Sequence, residues 1–572
     1  MEIKQSGNKK LKCQSGVVKK QFVPQAHQLR VVREFLETNK RGLGFFHALG
    51  SGKTCAAYLA VDSYRKTKGK KIVYILSPAS LASSHQHQYC NVCGEFPHEF
   101  NDNFKFYSYN DRQGIIKNLP KNMNNSIIII DEVQEVLNGK ENKSATLTHV
   151  YDTVLKADNV KIILLSGTPC YTPFQCSLFL NLLDPGITSF DEDTFMNDIR
   201  RENYLFNKCR GLISYVPIPN KELYPERVTP DIVDTFPMSQ HQYSEYKTAR
   251  QKELLQFSQD DAIQRALKKG EYGKAKMLKA MEFIRLTKLK SRQVCNFSYP
   301  IDISVEDEFE EEDEYPAKKS DKNASWILED PTDIHVKNLK IYSPKMAKLI
   351  HRCLTLPGKH MVYGWFKSRY GLYLIEAYLR HCGVTPLLFS GDLGSDQRRE
   401  ALIAKFNSED NIRGEKHKVI LVSGAGAMGI SLFGIRHFHN FESGLNEFVS
   451  IQAEGRAFRT MSHHQLPPDE RNVQVYRYFT GLPLTEDGSI DTSIGEDQTT
   501  EQQMYVRGMK MLKKTEEVLD IMKRASFDCR ESYNKAIKNC YDFDVIKKDN
   551  NQDDDYDFGG INIVYEEEVF EL

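Results

Sequence analysis

From Gln21 to about Glu226, short aliphatic runs ("KIVYILS", "SIIIID", "KIILLSG") alternate with longer amphipathic or polar stretches. That alternation predicts buried parallel strands joined by helices, the βαβ rhythm of an α/β domain. Between about Arg227 and Ile341 the rhythm stops. The stretch from Ser239 to Arg292 has helical spacing with little Gly or Pro. Glu306 to Glu314 ("EDEFEEEDE") then holds eight acids in nine positions, a density at which like charges keep a segment unpacked. Alternation resumes with "HMVYGWF", "TPLLFSGD", "HKVILVSGAG" and "VQVYRYF", which predicts a second α/β domain. After a polar loop at Glu486 to Thr499, one long helical pattern runs to about Ala525 and a polar, acidic tail follows. The expected organisation is a basic arm over residues 1–20, an α/β domain over 21–226, a helical basic insert with an acidic linker over 227–341, a second α/β domain over 342–480, and a helical extension with an acidic tail over 481–572.

Charge sharpens this picture. The chain has 77 Lys plus Arg and 77 Asp plus Glu, so no global field draws it to polyanions and any nucleic-acid surface must be a local patch. The densest positive stretch is Arg265 to Arg292, with ten basic residues against Glu271 and Glu282, and it is read as a phosphate-contacting helix. The first twenty residues carry six lysines and one glutamate and read as a disordered arm. Twelve cysteines in 572 residues are too scattered for a disulfide framework, and no charged and apolar leader opens the chain. A reducing, intracellular compartment is expected, and no apolar run approaches the roughly 18 residues that a membrane span needs.

Chemistry enters with "HALGSGKT", His47 to Thr54, set between the short apolar "GLGFF" and the helical "CAAYLAVDSYRK". In that strand, loop and helix context Gly50, Ser51 and Gly52 let backbone N–H groups curl around phosphates at a helix N-terminus. Lys53 would bridge the β- and γ-phosphates, and the Thr54 hydroxyl would bind magnesium. "SIIIIDEVQ" supplies a buried strand whose C-terminal end presents Asp131 and Glu132 in the ligand crevice of a parallel sheet. Asp131 would hold magnesium through water, while Glu132 would orient and deprotonate the attacking water.

Taken in order, "HALGSGKT", "SPASL", "DEVQ", "SGTP", "VSGAGAMGISL" and "QAEGRAFR" resemble the motifs of superfamily 2 helicase-type ATPases. The resemblance implies an α/β fold of two tandem RecA-like parallel-sheet domains, with a helical insert and a helical C-terminal extension. It implies ATP and Mg2+ as cofactors, and Gln28 in "PQAHQLR" as the reader of the adenine. It also implies that Arg456 and Arg459 meet the γ-phosphate from across the interdomain cleft. "RQVCNFSYP" (Arg292 to Pro300) with "YSPKMAKL" is similar to the chromatin-remodelling-type branch. "GLISY" at Gly211, "GRAFRTMSHHQLP" at Gly455 and "MKRASFDC" at Met522 resemble the poxvirus-type ATPases of large cytoplasmic DNA viruses and cytoplasmic linear plasmids. Those include nucleoside triphosphatase I and the small subunit of the early transcription factor. DNA, duplex or single-stranded and held mainly through its phosphates, is the implied partner, together with an RNA polymerase or transcription factor; no membrane is involved. A host-cytoplasmic location, with packaging in the virion, follows from the same likeness. Gln134 stands where many relatives have His.

Two further signals compete. Gly424, Gly426 and Gly429 have dinucleotide-fingerprint spacing after "KVILV", with Glu442 about 18 residues on. The first domain already holds a complete phosphate apparatus, so these glycines are read as a backbone contact between the nucleotide and DNA sites, with Gly429 on the nucleotide side. His85, His87, Cys90 and Cys93 are close enough to suggest zinc, but without a second cysteine pair the preferred reading is a loop with two buried or idle thiols. Three functions stay open: a DNA translocase or remodeller, a promoter-binding initiation factor with a stable second subunit, and a strand-separating helicase. The first is expected, because each apolar run between "HMVYGWF" and "QAEGRAFR" is already assigned to a core strand or a motif, leaving no spare hairpin as a wedge.

Overall fold

The computed structural model describes residues 22–529 apart from 49, 95–99, 110–111, 186–203, 218–220, 259–289, 301–335, 368, 391–395, 425–429, 443 and 445–446. The basic arm, most of the basic stretch, the acidic run and the acidic tail lie outside the described residues, as does Gly429. The described residues fall into two compact units. One joins those up to Lys221 with those from Lys510 onward; the other spans Glu222 to Met509.

The first unit is built on six strands: β1 (Gly42–His47), β2 (Val73–Ser77), β3 (Phe104–Ser108), β4 (Ile127–Asp131), β5 (Lys161–Ser166) and β6 (Ile213–Val216). They form one wholly parallel sheet in the order β3-β2-β4-β5-β1-β6. Every residue of β4 is buried, as a strand covered on both faces requires. Ile127 and Ile129 pack with Val31 and Phe35 of α1 (Ala26–Glu37) and with Ala56, Ala57 and Ala60 of α2 (Lys53–Lys68). Ile128 and Ile130 alternate to the opposite face. The C-terminal ends of the adjacent strands β4, β5 and β1 carry "DE", "SGTP" and "GSGKT" respectively. Three segments separated by many residues thereby share one sheet edge. The geometry leaves no spare volume at Gly42, paired with Ile162, where an added Cβ would stand 2.2 Å from the Ile162 carbonyl oxygen. Gly42→Ala is expected to destabilise the fold by about 2–4 kcal/mol, read as a lower denaturant midpoint.

The second unit holds β7 (Glu226–Pro237), β8 (Lys359–Gly364), β9 (Leu387–Phe389), β10 (Val419–Ser423), β11 (Ile435–Asn440) and β12 (Asn472–Gly481). These too form a wholly parallel sheet, in the order β7-β12-β11-β8-β10-β9. Two parallel six-stranded sheets with flanking helices are the expected RecA-like pair. The start of the expected helical insert is corrected: Glu226–Pro237 is an edge strand on β12. Its prolines argue against a central strand, and an edge tolerates them; the register shifts between Gln474 and Tyr476, opposite the stretch that contains Pro230. Helix follows at α5 (Gln240–Ser258) and α6 (Lys290–Asn296). Arg292, the last residue of the basic stretch, is buried with its guanidinium 5.2 Å from the Phe366 ring centroid. "RQVCNFSYP" is core, since Val294, Cys295, Phe297 and Tyr299 are all buried. In "YSPKMAKL" Ser343 caps α7 (Pro344–Thr355), accepting from the Met346 N–H at 3.2 Å, with Pro344 in the first turn. Lys345 of that helix is buried against Glu501 at 2.7 Å.

Candidate active site

β1 ends at His47, and the chain turns through Gly50 (φ 80°) and Gly52 (φ 76°) before α2 begins at Lys53. Gly52 is left-handed, and a Cβ there would also stand 2.6 Å from Gln28 Nε2. Helix α1 grips the loop by two bonds. His27 Nε2 donates to the Ser51 carbonyl at 2.9 Å, and Gln28 Nε2 donates to the Gly52 carbonyl at 3.0 Å. Gln28 Oε1 accepts from the Gln25 N–H at 2.9 Å, so the residue expected to read adenine is also part of the loop's support. Ser51 Oγ donates back to the Ala48 carbonyl at 2.7 Å. Within this cradle Lys53 Nζ is buried with no hydrogen-bond partner. An ammonium group removed from water without a hydrogen-bond acceptor is costly, and phosphate oxygens are the ligand chemistry that would supply acceptors. The cradle therefore fits a nucleotide's phosphates.

At the end of β4 the two carboxylates have different surroundings. Asp131 is buried; its Oδ1 accepts from the Glu132 N–H at 3.0 Å and its Oδ2 lies 3.0 Å from His85 Nε2. Burial alone would raise its pKa, but the His85 hydrogen bond and charge, then Lys53 and the Glu132 N–H, hold the carboxyl below its ordinary value. Glu132 has φ 51° and directly precedes α4 (Val133–Glu141), a left-handed turn that re-aims the chain. Tyr109 pins this turn, its hydroxyl donating to the carbonyls of Asp131 (2.6 Å) and Glu132 (3.1 Å). Gln134 Nε2 donates to Glu132 Oε2 at 2.5 Å, and Gln134 Oε1 accepts from Ser166 Oγ at 2.6 Å. Ser166 Oγ in turn accepts from the Thr168 N–H at 2.9 Å. "DEVQ" and "SGTP" are thus one hydrogen-bonded chain. Gln134 supplies a donor and an acceptor on one planar group, which is what the link requires.

His85 escaped the sequence reading as a neighbour of Asp131. It stands on α3 (Ala82–His87), with Nδ1 2.8 Å from the Tyr58 hydroxyl and Nε2 on Asp131. No local pattern announces such a contact, which exists only because the fold brings α3 to the end of β4. Both ring nitrogens are engaged, His87 Nδ1 is 3.0 Å from Asn91 Nδ2, and Cys93 is joined to Cys55 in a disulfide, so the four residues grouped as a zinc candidate do not converge. Cys170 and Cys176 form a second disulfide. Both bonds depart from the expectation of unpaired cysteines. Cys55 and Cys93 are 38 residues apart and meet only because the chain folds, a proximity that cysteine spacing does not encode.

In the second unit α8 (Glu447–Glu454) leads directly into "GRAFR". Arg456 is buried, and Arg459 donates through one guanidinium nitrogen to the Ile430 carbonyl at 3.2 Å while its Nε has no partner. Glu442, the acid in dinucleotide spacing, accepts from the Trp365 and Phe366 N–H groups at 3.1 Å each. Burial pushes its carboxyl up to about 7 against the opposing pull of Arg292 and Lys345. A carboxylate spent on backbone amides inside the unit is not a ribose reader, in agreement with setting the dinucleotide reading aside.

The family described as type III restriction enzyme, res subunit, matches residues 21–170, and the helicase conserved C-terminal domain matches residues 344–461. The chain is a superfamily 2 helicase-type ATPase. A termination factor NPH-I homolog of African swine fever virus (isolate Tick/Malawi/Lil 20-1/1983) is 25% identical to this ATPase over 86% of the chain and 76% of the relative. Two putative ATP-dependent RNA helicases of Acanthamoeba polyphaga mimivirus are 24% identical over 81% of the chain and 84% of the relative, and 23% identical over 87% and 73%. Helicase domains of these two kinds imply ATP binding. Among the described residues no helix is long and apolar enough to cross a membrane.

Proposed function

We propose that this ATPase is a nucleic-acid-dependent motor that translocates along or remodels DNA in the transcription of a cytoplasmic DNA virus or plasmid. The observation that carries the reading is the chain Glu132–Gln134–Ser166–Thr168, which joins a carboxylate beside the phosphate cradle to the loop after β5. A change at that loop reaches Glu132 through two short bonds, the kind of link by which a bound polymer can govern hydrolysis. In this reading Gly50, Ser51 and Gly52 cradle phosphates, Lys53 bridges them, and Thr54 and Asp131 hold Mg2+. The ion, when bound, neutralises charge on the β- and γ-phosphates. Glu132 orients the water and accepts its proton, Gln28 meets the adenine while bracing the loop, and Gly429 contacts the nucleotide. Arg456 and Arg459 supply positive charge to the transition state. The name of the swine fever virus relative, a termination factor homolog, favours a transcription role, and an RNA polymerase or transcription factor is proposed as the partner in it.

The mimivirus relatives, named as RNA helicases, support a second reading in which strands are separated. Among the described residues every strand pair of both sheets is parallel, and the one antiparallel contact is an isolated bridge between Leu484 and Ile490. That favours translocation, since a wedge is commonly a protruding hairpin. The test compares turnover with no nucleic acid, single-stranded DNA, duplex DNA and RNA, alongside a forked duplex with a fluorescent strand. We expect at least about tenfold stimulation by DNA, falling steeply with salt, and no release of strands tens of base pairs long. Stimulation by RNA alone, or efficient ATP-dependent release, would transfer the assignment to the helicase reading.

A further inference from the structure

The segment "SFDC" near the end of the described chain belongs to the first unit, although it follows the whole second unit in sequence. Helix α9 (Thr500–Arg524) delivers it, and Phe527 N–H donates to the Ile213 carbonyl of edge strand β6 at 3.2 Å. Asp528, the next residue, is fully buried. Its Oδ1 accepts from Arg30 at 3.0 Å, and its Oδ2 accepts from Ser214 Oγ at 2.5 Å and from the Tyr215 N–H at 3.0 Å.

Both sides of this carboxylate lead to the phosphate loop. Ser214 Oγ is 2.7 Å from His47 Nε2, and His47 is where the loop leaves β1. The serine's one proton points to Asp528, so the bond to His47 must be donated by the imidazole, which fixes its tautomer. Burial, then the nearby His27 and Lys53, keep His47 neutral by pushing its pKa well below the ordinary histidine value. Arg30 lies on α1, whose His27 and Gln28 hold the carbonyls of Ser51 and Gly52. The loop's entry and its middle are therefore each tied to Asp528 by a short path of buried or part-buried groups.

We propose that Asp528 is a positioning residue for ATP binding, holding the phosphate loop through Ser214 and His47 on one side and Arg30 and α1 on the other. The proposal rests on reading that loop as the ATP site. Docking the C-terminal segment does not itself require a carboxylate, because Phe527, Met522 and the Lys523 ammonium 5.5 Å from the Phe46 ring centroid already seat it. A buried charge is costly to desolvate, and here each oxygen bonds a group, Arg30 or Ser214, that leads to the loop. In the general phosphate-loop spacing, glycine, four residues, then Gly-Lys-Ser/Thr, His47 stands at the first glycine, and the same path gives it a task that a glycine could not perform.

The test measures binding of a fluorescent ATP analogue, steady-state kcat and KM, and thermal unfolding on the full chain. In Asp528→Asn the amide must turn an NH2 group toward Arg30 or toward Ser214 and Tyr215, so a donor confronts a donor. We expect affinity and KM to weaken about tenfold with kcat within about threefold. Should that variant fail to fold, Ser214→Ala, which cuts one arm only, is expected to weaken affinity about threefold with its unfolding temperature little changed. In a His47→Gly background Ser214→Ala should add nothing, because the path is already cut; a merely structural serine would cost the same in both backgrounds. Full additivity of these two changes, or Asp528→Asn binding ATP like the wild type, overturns the proposal. A wild-type chain that binds no ATP overturns the ATP-site reading and this proposal with it.

Discussion

Glu132→Gln is expected to bind ATP within a few-fold of the wild type and to lose about 10²- to 10⁴-fold in kcat, the range a positioned general base contributes. The substitution is isosteric, and the surroundings of the site favour its tolerance. The backbone turn is held by Tyr109 through carbonyls, not through the Glu132 side chain. Gln134 can still donate to the oxygen of the new amide, so the link to Ser166 persists. What disappears is the capacity to take a proton. Single-turnover hydrolysis beside an equilibrium binding curve separates the two effects. Turnover near the wild-type rate would remove Glu132 from the chemistry.

Lys53→Ala should weaken ATP binding by at least about tenfold and abolish measurable turnover, since among the described residues Lys53 carries the one buried ammonium group without a hydrogen-bond partner. A second consequence is less usual. Lys53 Nζ is buried without a hydrogen bond, yet its charge helps keep the buried Asp131 ionised, so removing it gives up a desolvated ammonium and an attraction together and the nucleotide-free variant should unfold close to the wild type. The wild type should gain stability on adding ATP by mass action, and the variant should not. Thermal scans with and without ATP read both effects. A variant that melts well below the nucleotide-free wild type would mean that Lys53 has a structural partner.

Much of this was legible in the chain because parallel strands buried on both faces read as unbroken aliphatic runs. "IIIID" is β4 to the residue, and "KIILLS" is β5. The phosphate loop and the "DE" pair were legible for the same reason, since their chemistry demands particular residues at a strand's end. β7 was not legible, because its prolines and charges obey the rules of an edge, and edge status depends on a partner more than 200 residues away in sequence. His85 and Asp528 were hidden for a related reason. Each acts through a contact between elements, and no period or spacing along the chain records such a contact. Gln134 looked like a missing histidine until Ser166 supplied its second partner.

Ser214 and Asp528 are 314 residues apart, yet they belong to the same folding unit. On a ribosome adding about 5–20 residues each second, the sheet that carries the phosphate loop emerges roughly 15 to 60 seconds before the segment that completes it. During that interval β6 is an open edge, with Ile213, Phe46 and Tyr215 lacking the cover that Phe527 and Lys523 later provide. The nascent ATPase therefore carries an uncovered sheet edge until that segment is made. A chain truncated anywhere between Ser214 and Asp528 would carry both strand motifs yet leave the phosphate loop without its Asp528 brace, so two distant stretches of message must both be read before that loop is held.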